Sequence, residues 1–339
     1  MSAIQTQRFP DLDRLTFGLA AVFRDGEFRD GDVVVIKREP NYYESTFPTE
    51  IVTCRLGGSG RTLRLFCKYG TREFDGVYGH RGNVQYEAEV YREVLRPLST
   101  VATATCYGAY RDEHEDAWWL VLEYLEGGSR TNKSPDLEAI IHAARWSGKF
   151  HAASGELLRR ARPSFLRNYD ADYYLGWSRR TDQTFSEYRT RFPWLSGLCE
   201  GFVSLVPRLL RAPPTIIHGE YYPSNVIYLG GTSRPIDWQS AAIAAGEIDL
   251  ASLTQMWPNK IVSRCEEEYK KARWPGVSRP DYDFEQTLDV ARVYMLLRWL
   301  GDPGRGSPLL RRGGRRILPK ASVKFIEELR KVGRRLRLA

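Results

Sequence analysis

The chain has 339 residues, 42% of them hydrophobic, and a formal net charge of +8 at pH 7, so it can bury a core large enough for two lobes. No apolar run reaches the length of about 18 residues that marks a membrane span, and the polar start "MSAIQTQRFPDLDRL" lacks the apolar core of a secretory signal; the cytosol is the expected compartment. The five cysteines (Cys54, Cys67, Cys106, Cys199 and Cys265) form no CxxC pair and have no histidine at metal-ligand spacing, so they read as reduced structural thiols.

In chain order, the first third predicts strands and turns. Residues 32–56, "DVVVIKREPNYYESTFPTEIVTCRL", carry β-branched and aromatic runs, and the glycines of "LGGSG" supply a hairpin turn before "RTLRLFCKYG". There Leu63, Leu65 and Cys67 alternate with Arg64, Phe66 and Lys68, which sets Lys68 near the strand's end with its stem packed and its ammonium free. "NVQYEAEVYREVLRPL" then repeats Val84, Glu87, Val90, Tyr91, Val94 and Leu95 at helical spacing until Pro97. Glu87 shares that apolar stripe and needs a partner, because burying it alone costs several kcal/mol. Two strands around "VATATCYGAY" and "AWWLVLEYL" end at the hinge-like "EGGS".

From Asp136 the periodicity turns helical. "DLEAIIHAARWSGKFHAA" is amphipathic, residues 169–194 predict helices with an exposed aromatic surface, and "YDFEQTLDVARVYMLLRWL" predicts another helix. A loop at 301–316 precedes a last helix, "SVKFIEELRKVGRRLRL". Residues 301–339 hold twelve Arg or Lys against three acidic residues, so the basic charge belongs to the tail and the body is near neutral. That last helix either docks on the helical lobe or, as a basic amphipathic element, meets nucleic acid or an anionic membrane.

The densest chemistry lies in "TIIHGEYYPSNVIYL" and the following "PIDWQ", where an apolar strand, a polar loop and a second strand bring Glu220, Asn225 and Asp237 toward one spot. His218, Gly219, Glu220, Asn225, Asp237 with Trp238, and Asp249-Leu250-Ala251 resemble the motifs of the aminoglycoside phosphotransferase and choline kinase superfamily, relatives of the protein kinases. The family's usual HGD is here HGE. Lys68 and Glu87 are similar to the family's nucleotide-positioning ion pair, "LVLEYLEGG" to its adenine-binding hinge, and "GKFHAA" with His151 to its "LHAA" element.

The resemblance implies an α+β, bilobal protein-kinase-like fold: an antiparallel β-sheet N-lobe with one helix over residues 1–125, and a mainly helical C-lobe over 126–339. It implies ATP and Mg²⁺ as cofactors, transfer of the γ-phosphate to a hydroxyl of a sugar-like, nucleoside or other small metabolite, and Glu220 at the catalytic-base position. Asn225 and Asp237 would be catalytic residues and metal ligands. Lys68 would act on the phosphates, and Ser45, Thr46, Glu87, Glu123 and Leu125 would bind the nucleotide. One carboxylate with one amide oxygen suits Mg²⁺, which keeps several waters. Asp249 would brace the loop by accepting backbone N–H bonds, while His218 and His151 read as buried structural groups. Three readings compete with these: a surface pair at Lys68 and Glu87, a pseudokinase or nucleotide-binding regulator, and a nucleic-acid or membrane-surface binder acting through the tail. "CEEEY" is surrounded by Lys270, Lys271 and Arg273, which argues against a polycationic antibiotic as acceptor.

Overall fold

The computed structural model describes residues 9–26, 31–43, 45–71, 80–98, 101–276, 280–302, 310–312 and 315–338. From α1 (Leu12–Asp25) the chain forms β1 (Val33–Pro40), β2 (Thr49–Leu56), β3 (Thr62–Tyr69), α2 (Val84–Val90), β4 (Cys106–Asp112), β5 (Ala117–Glu123) and β6 (Ser129–Arg130). It continues through α3 (Glu138–Arg160), β7 (Arg167–Asn168), α4 (Ala171–Thr184), α5 (Trp194–Gly201), α6 (Val206–Arg211) and β8 (Pro214–Ile217). Then come β9 (Val226–Leu229), β10 (Thr232–Pro235), β11 (Ala242–Ala245), α7 (Glu247–Thr254), α8 (Asn259–Arg273), α9 (Phe284–Gly301), β12 (Leu310–Arg312), β13 (Arg315–Ile317) and α10 (Lys320–Arg335).

Two compact units emerge, one of residues 1–130 with 225–240 and one of 131–224 with 241–339. The division differs from a single cut at 125, because β9 pairs with both β10 and β6 and so ties residues 225–240 to the first unit.

In the first unit an antiparallel sheet of order β1-β2-β3-β5-β4 forms the frame. The strand-and-turn expectation misses α1. Leu15, Leu19, Val22 and Phe23 recur at i, i+4, i+7 and i+8, the spacing of a helix face, and they are buried in one core with Val52, Leu65, Val121 and Trp119 of the sheet. Asp11 caps this helix by accepting from the Arg14 amide. Among its described residues the unit therefore has two α-helices, α1 and α2, rather than the one expected. Asn83 caps α2 by accepting from the Tyr86 amide, and the helix runs on through a π-helical turn at Tyr91–Leu95.

In the second unit α3 packs along α8, and β8, β11 and β7 make a short sheet. The aromatic segment is not the exposed surface that composition suggests: Tyr169, Tyr174, Trp177 and Phe185 are buried. α9 is apolar on nearly all sides and buried along most of its length, as suits a central helix. Ile326, Leu329 and Val332 of α10 are buried and the helix packs on α9, so its apolar stripe is spent inside the protein. The predicted loop at 301–316 overlaps the short β12–β13 pairing of Leu310–Arg312 with Arg315–Ile317, while its residues 303–309 and 313–314 lie outside the described set. Among the described residues no helix is long and apolar enough to cross a membrane.

α3 and α8 approach closely at Gly148, where a Cβ would stand 2.5 Å from the Tyr269 carbonyl oxygen and 2.9 Å from the Ala272 Cβ. Gly148→Ala gains up to about 1 kcal/mol of helix propensity but forces the helices apart at about 1–3 kcal/mol. The expected result is a net loss of stability, read as a thermal midpoint lowered by a few degrees.

Candidate functional site

The first unit contains a cavity of about 460 Å³. Ser45, Lys68, Glu87, Glu123, Leu125, Asn225 and Asp237 line it; Thr46, which is exposed, is not part of the wall. The cavity forms because β3 delivers Lys68 opposite Thr49 of β2 and Leu120 of β5, while the turn after β10 delivers Asp237.

Lys68 is only 4% exposed, which removes the surface-pair reading. Its ammonium is not free: Nζ donates to Glu87 Oε2 and to Asp237 Oδ1, each at 2.6 Å. Burial acts to lower the pKa of Lys68, and the two carboxylates overcome it and push the value up, so the side chain is held as an ammonium. Burial pushes the Glu87 carboxyl up; Lys68 opposes that shift and Asp237 adds to it.

The backbone beside Asp237 is fixed from several directions. The Trp238 amide donates to Glu87 Oε1 at 3.1 Å, the Ile236 amide to the Asn225 carbonyl at 2.9 Å, and the Gly82 amide to the Gln239 carbonyl at 2.6 Å. Glu87 thus grips Lys68 with one oxygen and the chain next to Asp237 with the other. Glu123 is held at the cavity wall by the amide and hydroxyl of Thr105, at 3.0 and 2.9 Å. Sequence reasoning missed Arg130, whose guanidinium lies 4.1 Å from the ring centroid of Tyr43, both on the cavity wall. The aromatic pair in "PNYYES" was visible, but its cationic partner lies far along the chain.

In the second unit β8 leads into His218, Gly219 and Glu220. Gly219 turns at φ +80°, a conformation that glycine adopts without strain. Asp249 at the start of α7 braces this turn, accepting from the His218 amide at 2.7 Å and the Gly219 amide at 2.9 Å. His151 Nε2 lies 3.1 Å from the same carboxylate and Nδ1 lies 2.9 Å from the Tyr269 hydroxyl. Burial lowers the His151 pKa despite Asp249, so the ring is neutral. A neutral imidazole has one donor; the carboxylate can only accept, so Nε2 donates to Asp249 and Nδ1 accepts from Tyr269. Arg273 Nη1 in turn donates to Tyr269 at 2.5 Å and to Glu247 at 3.1 Å, and Tyr282 also donates to Glu247. The donors are thereby ordered from Arg273 through Tyr269 and His151 to Asp249.

Glu220 is 1% exposed. Its carboxylate Oε1 lies 3.5 Å from Arg298 Nη2, and the same guanidinium donates to the Gly219 carbonyl at 2.7 Å and the Tyr222 hydroxyl at 2.6 Å. Arg298 was not identified in the sequence, although an arginine inside the apolar "YMLLRWL" signals a buried partner.

The model of the phosphotransferase enzyme family matches residues 79–286 of the chain. Among solved structures it is similar to choline kinase LicA from Streptococcus pneumoniae, at 13% identity over 88% of this chain and 93% of that chain with a TM-score of 0.57. It is similar also to the GDP complex of an aminoglycoside 2'-phosphotransferase-IIIa mutant, at 12% identity over 93% and 97% of the two chains with a TM-score of 0.60. A thermostable mutant of aminoglycoside phosphotransferase APH(4)-Ia matches at 12% identity over 93% and 98%, with a TM-score of 0.57. Identities of this size speak for the fold, which is the α+β protein-kinase-like one. No curated protein matches the sequence.

The neutral His151 has a measurable consequence. Its folded pKa lies below the ordinary 6.5, so as the pH falls past that value the unfolded chain takes up a proton that the folded chain refuses. Stability is therefore full above that pH and declines below it. Urea midpoints should drop between neutral pH and pH ~5, and His151→Gln should show a shallower drop.

Proposed function

The chain belongs to the phosphotransferase enzyme family and is a small-molecule kinase with a hydroxyl acceptor, and we propose that it moves the γ-phosphate of ATP to that hydroxyl with Glu220 as the proton acceptor. The observation that carries the reading is the buried Lys68 ammonium, 2.6 Å from both Glu87 and Asp237 on the wall of a cavity that Asn225 also lines. A chain that had lost phosphoryl transfer would be under no constraint to keep this arrangement together, which disfavours the pseudokinase alternative.

Phosphoryl transfer asks the protein chiefly for positioning and charge neutralisation. Lys68, steadied by Glu87, holds the α- and β-phosphates, and Ser45 and the Glu123–Leu125 segment hold the rest of the nucleotide. Asn225 and Asp237 present one amide oxygen and one carboxylate, a donor set that fits Mg²⁺. When bound, the ion neutralises charge on the phosphate oxygens. Lys68 and Asp237 are paired here; with nucleotide bound, Lys68 would hold phosphate instead and Asp237 would be available to hold the metal. Glu220 orients the acceptor hydroxyl and takes its proton; glutamate and aspartate have similar intrinsic acidity, so the chemistry is open to either and reach decides. The nucleotide choice has parallels in related folds: LicA was solved in complex with AMP, and the aminoglycoside 2'-phosphotransferase-IIIa mutant with GDP. The acceptor is a hydroxylated metabolite without a high positive charge.

ATP with Mg²⁺ should raise the thermal midpoint, by about 2.7 kcal/mol of stabilisation at a hundredfold excess over the dissociation constant. No stabilisation by either ATP or GTP at millimolar concentration would remove the nucleotide reading. In a screen of hydroxylated metabolites for ADP release, Asp237→Ala should lower turnover on the order of 100-fold or more. Glu220→Asp withdraws the carboxylate by up to about 1.5 Å and should also lose on the order of 100-fold; an Asp variant faster than the parent would show that the pocket is not fitted to glutamate.

A further inference from the structure

We propose that Arg298 is a positioning residue for the transfer reaction, a buried cation on α9 that fixes the Glu220 carboxylate at the end of its longer side chain and keeps it ionised. The inference rests on the reading of Glu220 as the proton acceptor.

The guanidinium is 3% exposed and sits among Met295, Leu296, Leu297 and Leu300, all buried. A charge in such surroundings is tolerated only with acceptors around it. Three acceptors come from one short stretch, the Gly219 carbonyl, the Glu220 carboxylate and the Tyr222 hydroxyl, and Tyr294 of α9 also hydrogen-bonds the guanidinium. Gly219 is consequently held on both sides of its peptide, through its amide by Asp249 and through its carbonyl by Arg298. The Tyr222 amide closes the turn on the Glu220 carbonyl at 2.7 Å. The guanidinium that holds this backbone also reaches the Glu220 carboxylate, so turn and side chain are referred to one group.

That contact explains why the position holds glutamate. Oε1 is 3.5 Å from Nη2, the long end of an ion-pair distance. Aspartate on the same backbone falls short by one carbon–carbon bond, about 1.5 Å, and leaves the buried guanidinium without its counter-charge. Lysine in place of Arg298 would keep the charge but not the planar set of donors that spans three acceptors.

The titratable groups around the Arg298 guanidinium are Glu220 and Tyr222 from the turn, Tyr294 from α9 and Tyr173 from α4. Burial pushes the phenols of Tyr173 and Tyr294 up, so both are neutral dipoles. Arg298 is the cation beside the Glu220 carboxylate and favours its ionised form.

The test combines kcat against pH with ATP-dependent thermal stabilisation for Arg298→Met, Arg298→Lys, Glu220→Gln and the parent. Arg298→Met should lower kcat on the order of 100-fold while ATP still stabilises the protein, and should move the acid limb of the kcat profile upward by about one pH unit because the carboxylate has lost its cation. Arg298→Lys should keep the acid limb in place and lose about tenfold in kcat, the share of the planar donor set. A folded Arg298→Met variant with parental kcat, or with lowered kcat and an unmoved acid limb, overturns the proposal. If Arg298→Met does not fold, Arg298→Lys decides: parental kcat overturns it, and loss with an unmoved limb supports it. Glu220→Gln separates the two levels, since full turnover there removes the proton-acceptor reading itself, whatever Arg298 does.

Discussion

A charge taken out of water has to be met inside the protein, and this constraint organises both units. Leaving an ionised group buried and alone costs several kcal/mol, while a buried pair breaks even only if its remaining lone pairs and protons are also satisfied. In the first unit Lys68 meets that demand by drawing one carboxylate from α2 and another from the turn after β10. β3, the helix that follows it and a turn far along the chain are thereby committed to one position, and the cavity beside them inherits its electrostatics.

The second unit solves the same problem with longer chains of partners. Asp249 is buried, and its carboxylate accepts from two backbone amides and an imidazole donor. The imidazole can donate there because Tyr269 supplies a proton to its other nitrogen, and Tyr269 is in turn oriented by Arg273 and, through Glu247, by Tyr282. Such networks rigidify when fully satisfied. The turn at 218–220 is held by this chain through its amides and by Arg298 through the Gly219 carbonyl, so a loop of few residues acquires the stiffness of the helices behind it.

Much of this was legible locally. Glu87 stood out because it placed a charge on a face that helical periodicity marked as inward, Lys68 through the family resemblance although alternation left its ammonium free, and Asp249 because it lies among apolar residues; the structure pairs the first two and sets Asp249 against backbone amides. What escaped were features whose evidence is spread along the chain. Arg298 announces a buried partner, but nothing near it in sequence says that the partner is the turn at 219–222. The aromatics at 169–185 look like a surface because Arg and Asp punctuate them, yet the rings stack inward, with Tyr169 and Tyr173 at 3.8 Å between centroids. α1 was overlooked for the opposite reason: its helical spacing is clear, but it lies ahead of a strand-rich stretch that dominated the reading.

Asp237 adopts φ +69°, in the left-handed region. For an L-residue that backbone is comfortable only with a side chain short and polar enough to avoid its own carbonyl, in practice aspartate or asparagine, or with glycine. Of these three, aspartate alone brings the negative charge that Lys68 is paired with. Conformation and charge therefore impose separate filters on one position, and a single residue type passes both. Drift at Asp237 has no conservative direction: asparagine keeps the turn without the charge, and glutamate keeps the charge without the ease in the turn. The position is narrow on two counts before any substrate arrives.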